Sequence, residues 1–133
     1  MKPIRSRATN GVQHGTILIA CDNSGAKLLK IISFKCSKTT KGRVPSGGIA
    51  ALANASVIKG TPEMRKKVVP IVVVRVRKSY RRPDGTRIKF EDNAAVVLKD
   101  LKGNPAGTLI KGPIAKEACE RWGAISKIAS IVV

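Results

Sequence analysis

The sequence predicts an all-β fold, either a small closed barrel or a sandwich. Three observations carry that prediction. Strand-length runs of branched apolar residues recur along the chain: TILIAC, AKLLKIISF, VVPIVVV, RIKF and NAAVVLKD. Turn signals separate them, above all DNSG and PDG. Helical periodicity is confined to the C-terminal segment, and strands nowhere alternate with helices as a parallel sheet requires. A closed sheet has no edges left to pair with other chains, which favours closure for so many short strands. With 133 residues, 43% of them hydrophobic, the chain is long enough to bury a core as one domain, residues 1–133.

The elements follow in order. Residues 1–15 are polar and basic, include Arg5 and Arg7, and read as an N-terminal arm. Asp22-Asn23-Ser24-Gly25 joins the first two apolar runs: Asp and Asn bond nearby backbone, and Gly25 supplies a positive φ. KCSKTTKGRVPSGG, residues 35–48, is a long polar loop bearing Lys38, Lys41 and Arg43, longer than a plain connection needs. IAALANASVIK permits a helix through its alanines but alternates from Ile49 to Val57; a strand is favoured. Arg65-Lys66-Lys67 then precedes the longest apolar run, PIVVV.

RVRKSYRRPDGTRIKF is the most charged stretch, with seven lysines and arginines between Arg75 and Lys89. Val72, Val74 and Val76 share one strand face, and Val73, Arg75 and Arg77 the other. Ile88 and Phe90 alternate with Arg87 and Lys89 on the return strand. Pro83 fits position i+1 of a type I turn, and Gly85 the left-handed bulge after it. The expectation is a ribbon, apolar toward the barrel and basic outside, with Tyr80, Arg81 and Arg82 extending beyond the core. Tyr80 has two readings, stacking on a base or packing at the ribbon's root. Near the C-terminus, Pro113 opens a helical pattern over residues 113–130. Ile114, Ala118, Trp122, Ile125 and Ala129 form its apolar stripe, with a break near Gly123. Trp122 is read as core.

Charge narrows the function. The 26 Lys and Arg against 8 Asp and Glu give a formal charge of +18, which opposes compaction unless a polyanion relieves it. No apolar run reaches the roughly 18 residues of a membrane span, no basic amphipathic helix fits a bilayer surface, and MKPIRSRATN lacks the apolar block of a signal peptide. Nucleic acid is the expected partner. Several basic clusters with only 3% aromatic residues fit a protein set among folded RNA segments better than a single-strand groove.

Catalysis is not expected. Cys21, Cys36 and Cys119 are three scattered thiols, read as buried or half-buried, and His14 is the single histidine, so neither a zinc site nor a disulfide framework is expected. GTLIKG, residues 107–112, has phosphate-loop spacing, but Pro113 stands where the lysine belongs. The acids form no metal or acid–base motif. The candidate RNA-binding residues are therefore Arg5, Arg7, Lys38, Lys41, Arg43, Arg65, Lys66, Lys67, Arg75, Arg77, Lys78, Tyr80, Arg81, Arg82, Arg87 and Lys89. Lys116, Glu117, Glu120 and Arg121, with their mixed signs, are the candidate protein-facing surface. No cofactor and no metal are expected.

IACDNSGAK, RKSYRRPDGTRIKFEDNAAVVL and GNPAGTLIKGPIAKE together resemble the family of universal large-subunit ribosomal protein fourteen. Val72-Val73-Val74, Asp84-Gly85, Phe90, Asn93 and Val96-Val97 fall at its signature spacings, although Ile71 replaces the usual small residue. TPEMRKKV and ACERWGAIS resemble the archaeal and eukaryotic form, and the short arm favours an archaeal source. The resemblance implies a closed five-stranded β-barrel with a projecting basic ribbon and a short C-terminal helical segment. It further implies a cytoplasmic, non-enzymatic constituent of the large ribosomal subunit that binds large-subunit rRNA and contributes to an intersubunit bridge with small-subunit rRNA. The implied protein neighbours are large-subunit proteins of the L3-type and L24-like kinds, together with the anti-association initiation factor six.

Overall fold

The computed structural model describes residues 2–3, 9–37 and 39–133. Arg5, Arg7 and Lys38 lie outside the described residues. The first half of the chain forms β1 (Val12–Gln13), β2 (Ile17–Ala20), β3 (Ala26–Phe34), β4 (Ser46–Gly47), β5 (Leu52–Gly60) and β6 (Val68–Arg75). The second half adds β7 (Tyr80–Arg81), β8 (Arg87–Ile88), β9 (Ala94–Val97), β10 (Pro113–Ile114), α1 (Lys116–Arg121), α2 (Gly123–Ile128) and β11 (Ile131–Val132).

Five strands close a barrel in the order β2-β3-β5-β6-β9. Every pair is antiparallel except β2–β9, whose parallel pairing of Ile19 with Ala94 shuts the ring. Register shifts along β3–β5 bend these two nine-residue strands around the barrel. The inner positions carry Leu18, Leu29, Ile31, Ala53, Ala55 and Val57, all buried, while Lys27, Lys30 and Lys59 stand outside. Period-two alternation thus predicts the β5 wall from Ala53 to Val57, whereas the register shifts break it on β3, whose buried positions are Ala26, Leu29, Ile31 and Phe34.

It fails on β6, where Val72, Val73 and Val74 are all fully buried and Arg75 with them. The expected wet face is covered by the C-terminal segment. Helix α1 packs on β6, and the Ala115 amide donates to the Val74 carbonyl at 3.2 Å. The Trp122 indole N–H donates to the Ala50 carbonyl at 3.0 Å, which fixes this cover from the far side. A strand buried on both faces reads as a continuous apolar run, and PIVVV is such a run.

The turn Asp22–Gly25 joins β2 to β3 with Gly25 at φ +92. Its polar side chains reach further than their own turn. One Asp22 carboxylate oxygen accepts from the Ser24 hydroxyl at 2.9 Å and the other from the Val97 amide on β9 at 3.0 Å. Asn23 accepts from the Thr108 amide at 2.8 Å. Burial pushes the Asp22 carboxyl above the usual carboxylate range, and these donated hydrogen bonds pull it back.

Three expectations are corrected locally. Val12 is buried and β1 pairs with β4, so the lead-in becomes structure before residue 15 and the long loop contains a strand. Pro113 begins no helix; it pairs in β10 beside β11, and helix starts at Lys116. The helical segment is two six-residue helices that meet at Trp122, at the break expected near Gly123. Cys36 is exposed, whereas Cys21 and Cys119 are buried; burial pushes the Cys21 thiol up to about 12.

Candidate nucleic-acid interface

The charged stretch forms a shorter hairpin than its sequence suggests. β7 and β8 pair over two registers only, Tyr80 with Ile88 and Arg81 with Arg87. The turn is built as the residues dictate. The Gly85 amide donates to the Arg82 carbonyl at 3.0 Å, the Arg82 amide to Thr86 O at 2.9 Å, and Gly85 takes φ +89. Asp84 accepts from the Thr86 amide and hydroxyl at 3.0 and 2.7 Å. Those bonds hold its carboxyl below the usual range and keep it an anion committed to the turn.

Alternation along the hairpin divides its cations. Arg81, Arg87 and Lys89 are exposed, as are Arg77 and Lys78 before it. Arg81 and Arg87 stand directly opposite each other across the ribbon. Like charges in that position repel, so the pair is unfavourable in the free protein. Arg77 is oriented by its own backbone neighbours: its Nε donates to the Glu91 carbonyl at 2.7 Å, and its amide to the Asn93 side-chain oxygen at 2.8 Å.

Three residues expected at this surface turn inward. The Arg75 guanidinium meets both oxygens of Asp92, at 2.7 and 2.9 Å, and donates to the carbonyls of Lys111 and Pro113. Its donors are engaged inside the fold, so we remove it from the interface. Tyr80 is 2% exposed and its hydroxyl donates to Glu117 at 2.9 Å, so it packs at the root and stacks on no base. Burial, then the Glu117 acceptor, raises the tyrosine far above its ordinary pKa. Arg82 is only half-buried, but its Nε donates to Glu117 at 2.7 Å and its terminal nitrogen to the Val133 carbonyl at 2.6 Å. The Glu117 hydrogen bond leads the causes that raise the Arg82 pKa.

The acid expected to face a protein partner is thus buried as well: Glu117 is 6% exposed. Lys116 and Glu120 remain on the surface as an i,i+4 pair 3.9 Å apart, and Arg121 is half-buried with its guanidinium 5.9 Å from the Trp122 ring centre.

Two turns carry the other candidate cations among the described residues. Arg65, Lys66 and Lys67 cap the β5–β6 connection, all exposed, with Lys66 at φ +64 and its amide donating to the Val57 carbonyl. Lys41, at φ +60, and Arg43 lie on the β3–β4 loop, where the Thr39 hydroxyl donates to the Arg43 carbonyl at 2.6 Å. The exposed barrel lysines Lys27, Lys30 and Lys59 add cations that a search for clusters passes over. Simple alternation could not have found all three, because register shifts interrupt β3 and both Ile58 and Lys59 are exposed at the end of β5. Among the described residues, no group of three His, Cys, Asp or Glu could hold a metal, and no helix is long and apolar enough to cross a membrane.

A closed barrel that spends Asp92 and Glu117 on Arg75 and Arg82 and sends its other clustered cations out on turns defines a basic binding protein. The chain belongs to the ribosomal protein L14p/L23e family, whose model matches residues 11–133. It is 50% identical over 133 residues to the large ribosomal subunit protein uL14 of Halobacterium salinarum, covering the full length of both chains. To the proteins of that name from Methanococcus maripaludis and Methanococcus vannielii it is 48% and 47% identical over 132 residues, 99% of each chain.

Proposed function

We propose that the chain binds large-subunit rRNA through the β7–β8 hairpin and the basic turns around the barrel. As a family member it is a structural, non-enzymatic constituent of the large ribosomal subunit and works in the cytoplasm with it. The observation that carries the RNA reading is the exposed pair Arg81 and Arg87, set opposite each other on a two-register ribbon. Phosphates bound at the two guanidiniums relieve the repulsion between them, with release of counter-ions. Arg77, Lys78, Lys89, Arg65, Lys66, Lys67, Lys41 and Arg43 extend the same surface; Arg5, Arg7 and Lys38 join it on sequence alone. Phosphate contacts of this kind fix position, so specificity comes from RNA shape.

The finer partners belong to the same proposal. The exposed end of α1, with Lys116 and Glu120, is assigned to the intersubunit bridge with small-subunit rRNA. The family resemblance supports L3-type and L24-like neighbours and the anti-association initiation factor six as protein partners.

The test is the salt dependence of binding to a large-subunit rRNA fragment. Arg81→Ala with Arg87→Ala is expected to flatten the slope of log affinity against log salt by about 1.5 units, two phosphate contacts' worth. An unchanged slope removes the hairpin from the interface.

A further inference from the structure

We infer that Glu117 is a positioning residue for RNA recognition, one buried carboxylate that sets the pose of the basic hairpin and locks it to the C-terminal strand. The inference rests on the RNA reading above for its consequence, but not for its geometry.

A hairpin of two registers is marginal on its own in water, and opposition of Arg81 and Arg87 weakens this one further. Something outside the ribbon must hold it. Asp84 cannot do so, since it is engaged within the turn. Glu117, on α1, reaches the root from outside. One oxygen accepts from Arg82 Nε at 2.7 Å, and the other from the Tyr80 hydroxyl at 2.9 Å. These partners are two residues apart on the chain and lie either side of Arg81, so fixing both inward leaves Arg81 outward. Opposite it, Arg87 takes the same side. The carboxylate touches no phosphate itself; it decides which arginines do.

The same contact reaches the C-terminal strand. Arg82 donates to the Val133 carbonyl at 2.6 Å, which also accepts from the Lys116 amide at 2.8 Å, while the Val133 amide donates to Ile114 at 2.9 Å. Hairpin, α1 and the β10–β11 pair therefore share one hydrogen-bonded node. Loosening the node at Glu117 must loosen both ends, and leave the barrel strands alone.

Hydrogen exchange of the free protein tests this directly. In Glu117→Gln, the Arg82 and Gly85 amides of the hairpin and the Lys116 and Val133 amides are expected to exchange at least about tenfold faster, with the barrel amides of Leu29 and Val57 unchanged. Hairpin amides that keep their wild-type rates overturn the inference. If barrel amides accelerate too, Arg82→Gln decides, because it breaks the Glu117 ion pair from the half-exposed side of the node: hairpin amides that accelerate alone support the inference, and unchanged ones overturn it. With rRNA added, Glu117→Gln is expected to weaken affinity about tenfold at an unchanged salt slope, unlike Arg81→Ala, which lowers the slope. Affinity equal to wild type overturns the recognition role. A wild-type protein that binds no rRNA overturns the function proposed above, while the exchange rates still decide the node.

Discussion

In the barrel wall Arg75 is 8% exposed, with its guanidinium gripped by Asp92 and two backbone carbonyls. Six residues later, in the hairpin, Arg81 is exposed and faces another arginine. Both belong to one basic run of sequence. The wall cancels its charge with a geometry that fills the planar fork of arginine, bidentate on a carboxylate and bonded to carbonyls along its other edge. The tip leaves its charge for something else to cancel. Position in an arginine-rich run therefore says little about role; the decisive question is whether an acid and free carbonyls wait at the same depth.

The largest break in that comparison is Arg75→Ala. It leaves Asp92 without its cation and strands the carbonyls of Lys111, just before β10, and of Pro113, its first residue. Removing one partner of a buried pair typically costs 3–5 kcal/mol. Asp92 keeps some solvent, with 31% of its side chain exposed, so about 3 kcal/mol is expected from denaturant unfolding. A loss under about 1 kcal/mol makes Arg75 equivalent to a surface arginine and erases the distinction.

The cover of the wall gives the next effect. Trp122→Phe removes the indole donor from the Ala50 carbonyl and part of the volume that shields β6. An unsatisfied buried acceptor costs about 1–3 kcal/mol, and a loss near 2 kcal/mol is expected in thermal or denaturant unfolding. A change near zero means that the cover does not depend on this bond.

Much of the barrel was legible because its signals are local. β5 announces itself by alternation, the β2–β3 turn by DNSG, and the hairpin turn by PDG, whose Gly85 takes the predicted left-handed conformation. Trp122 fell on its helical stripe and is core. The site was legible only in part, because inward and outward arginines differ by partners far away in sequence. Arg75 pairs 17 residues on, and Arg82 with Glu117 35 residues on. No local pattern reports such pairs. Glu117 misled for the same reason: beside Lys116, Glu120 and Arg121 it looks like one more charge on a solvated helix. The burial of β6 on both faces likewise depends on where residues 113–128 return, which alternation along β6 itself cannot encode.

Asp22 tests the cost of a buried charge that has hydrogen bonds but, among the described residues, no ion pair. Its pKa is raised in the fold by burial, so the folded state holds a proton more tightly than the unfolded chain. Its contribution to stability therefore rises as pH falls from neutral through the folded-state value toward 3.8, and the ionised form carries the burial cost above that window. Asp22→Asn keeps an acceptor for the Val97 amide and does not titrate. Relative to wild type it is expected to be more stable at neutral pH, and to lose that margin as pH falls through the folded-state value of Asp22. A difference between the two proteins that stays flat with pH means that the charge at Asp22 is compensated as fully as the one at Arg75.

Arg81→Ala has the smallest expected effect on stability and the most informative sign. At an ordinary exposed site, truncating an arginine changes stability by less than about 0.5 kcal/mol in either direction. Here the removed charge faces Arg87 across the ribbon, and the formal +18 of the chain adds to the repulsion. The variant is therefore expected to be more stable than wild type, by a few tenths of a kcal/mol at low ionic strength. Salt screens exposed charges over roughly 10 Å at 0.1 M, so the gain is expected to vanish near 1 M salt. The buried Arg75 pair is shielded from that screening, and the cost of Arg75→Ala is expected to hold at both salt concentrations. Unfolding of the two variants at low and high salt thus separates the two kinds of arginine without any RNA present. If Arg81→Ala destabilises at low salt, the tip arginine has an internal partner, and the hairpin's charge is structural in the same sense as the wall's.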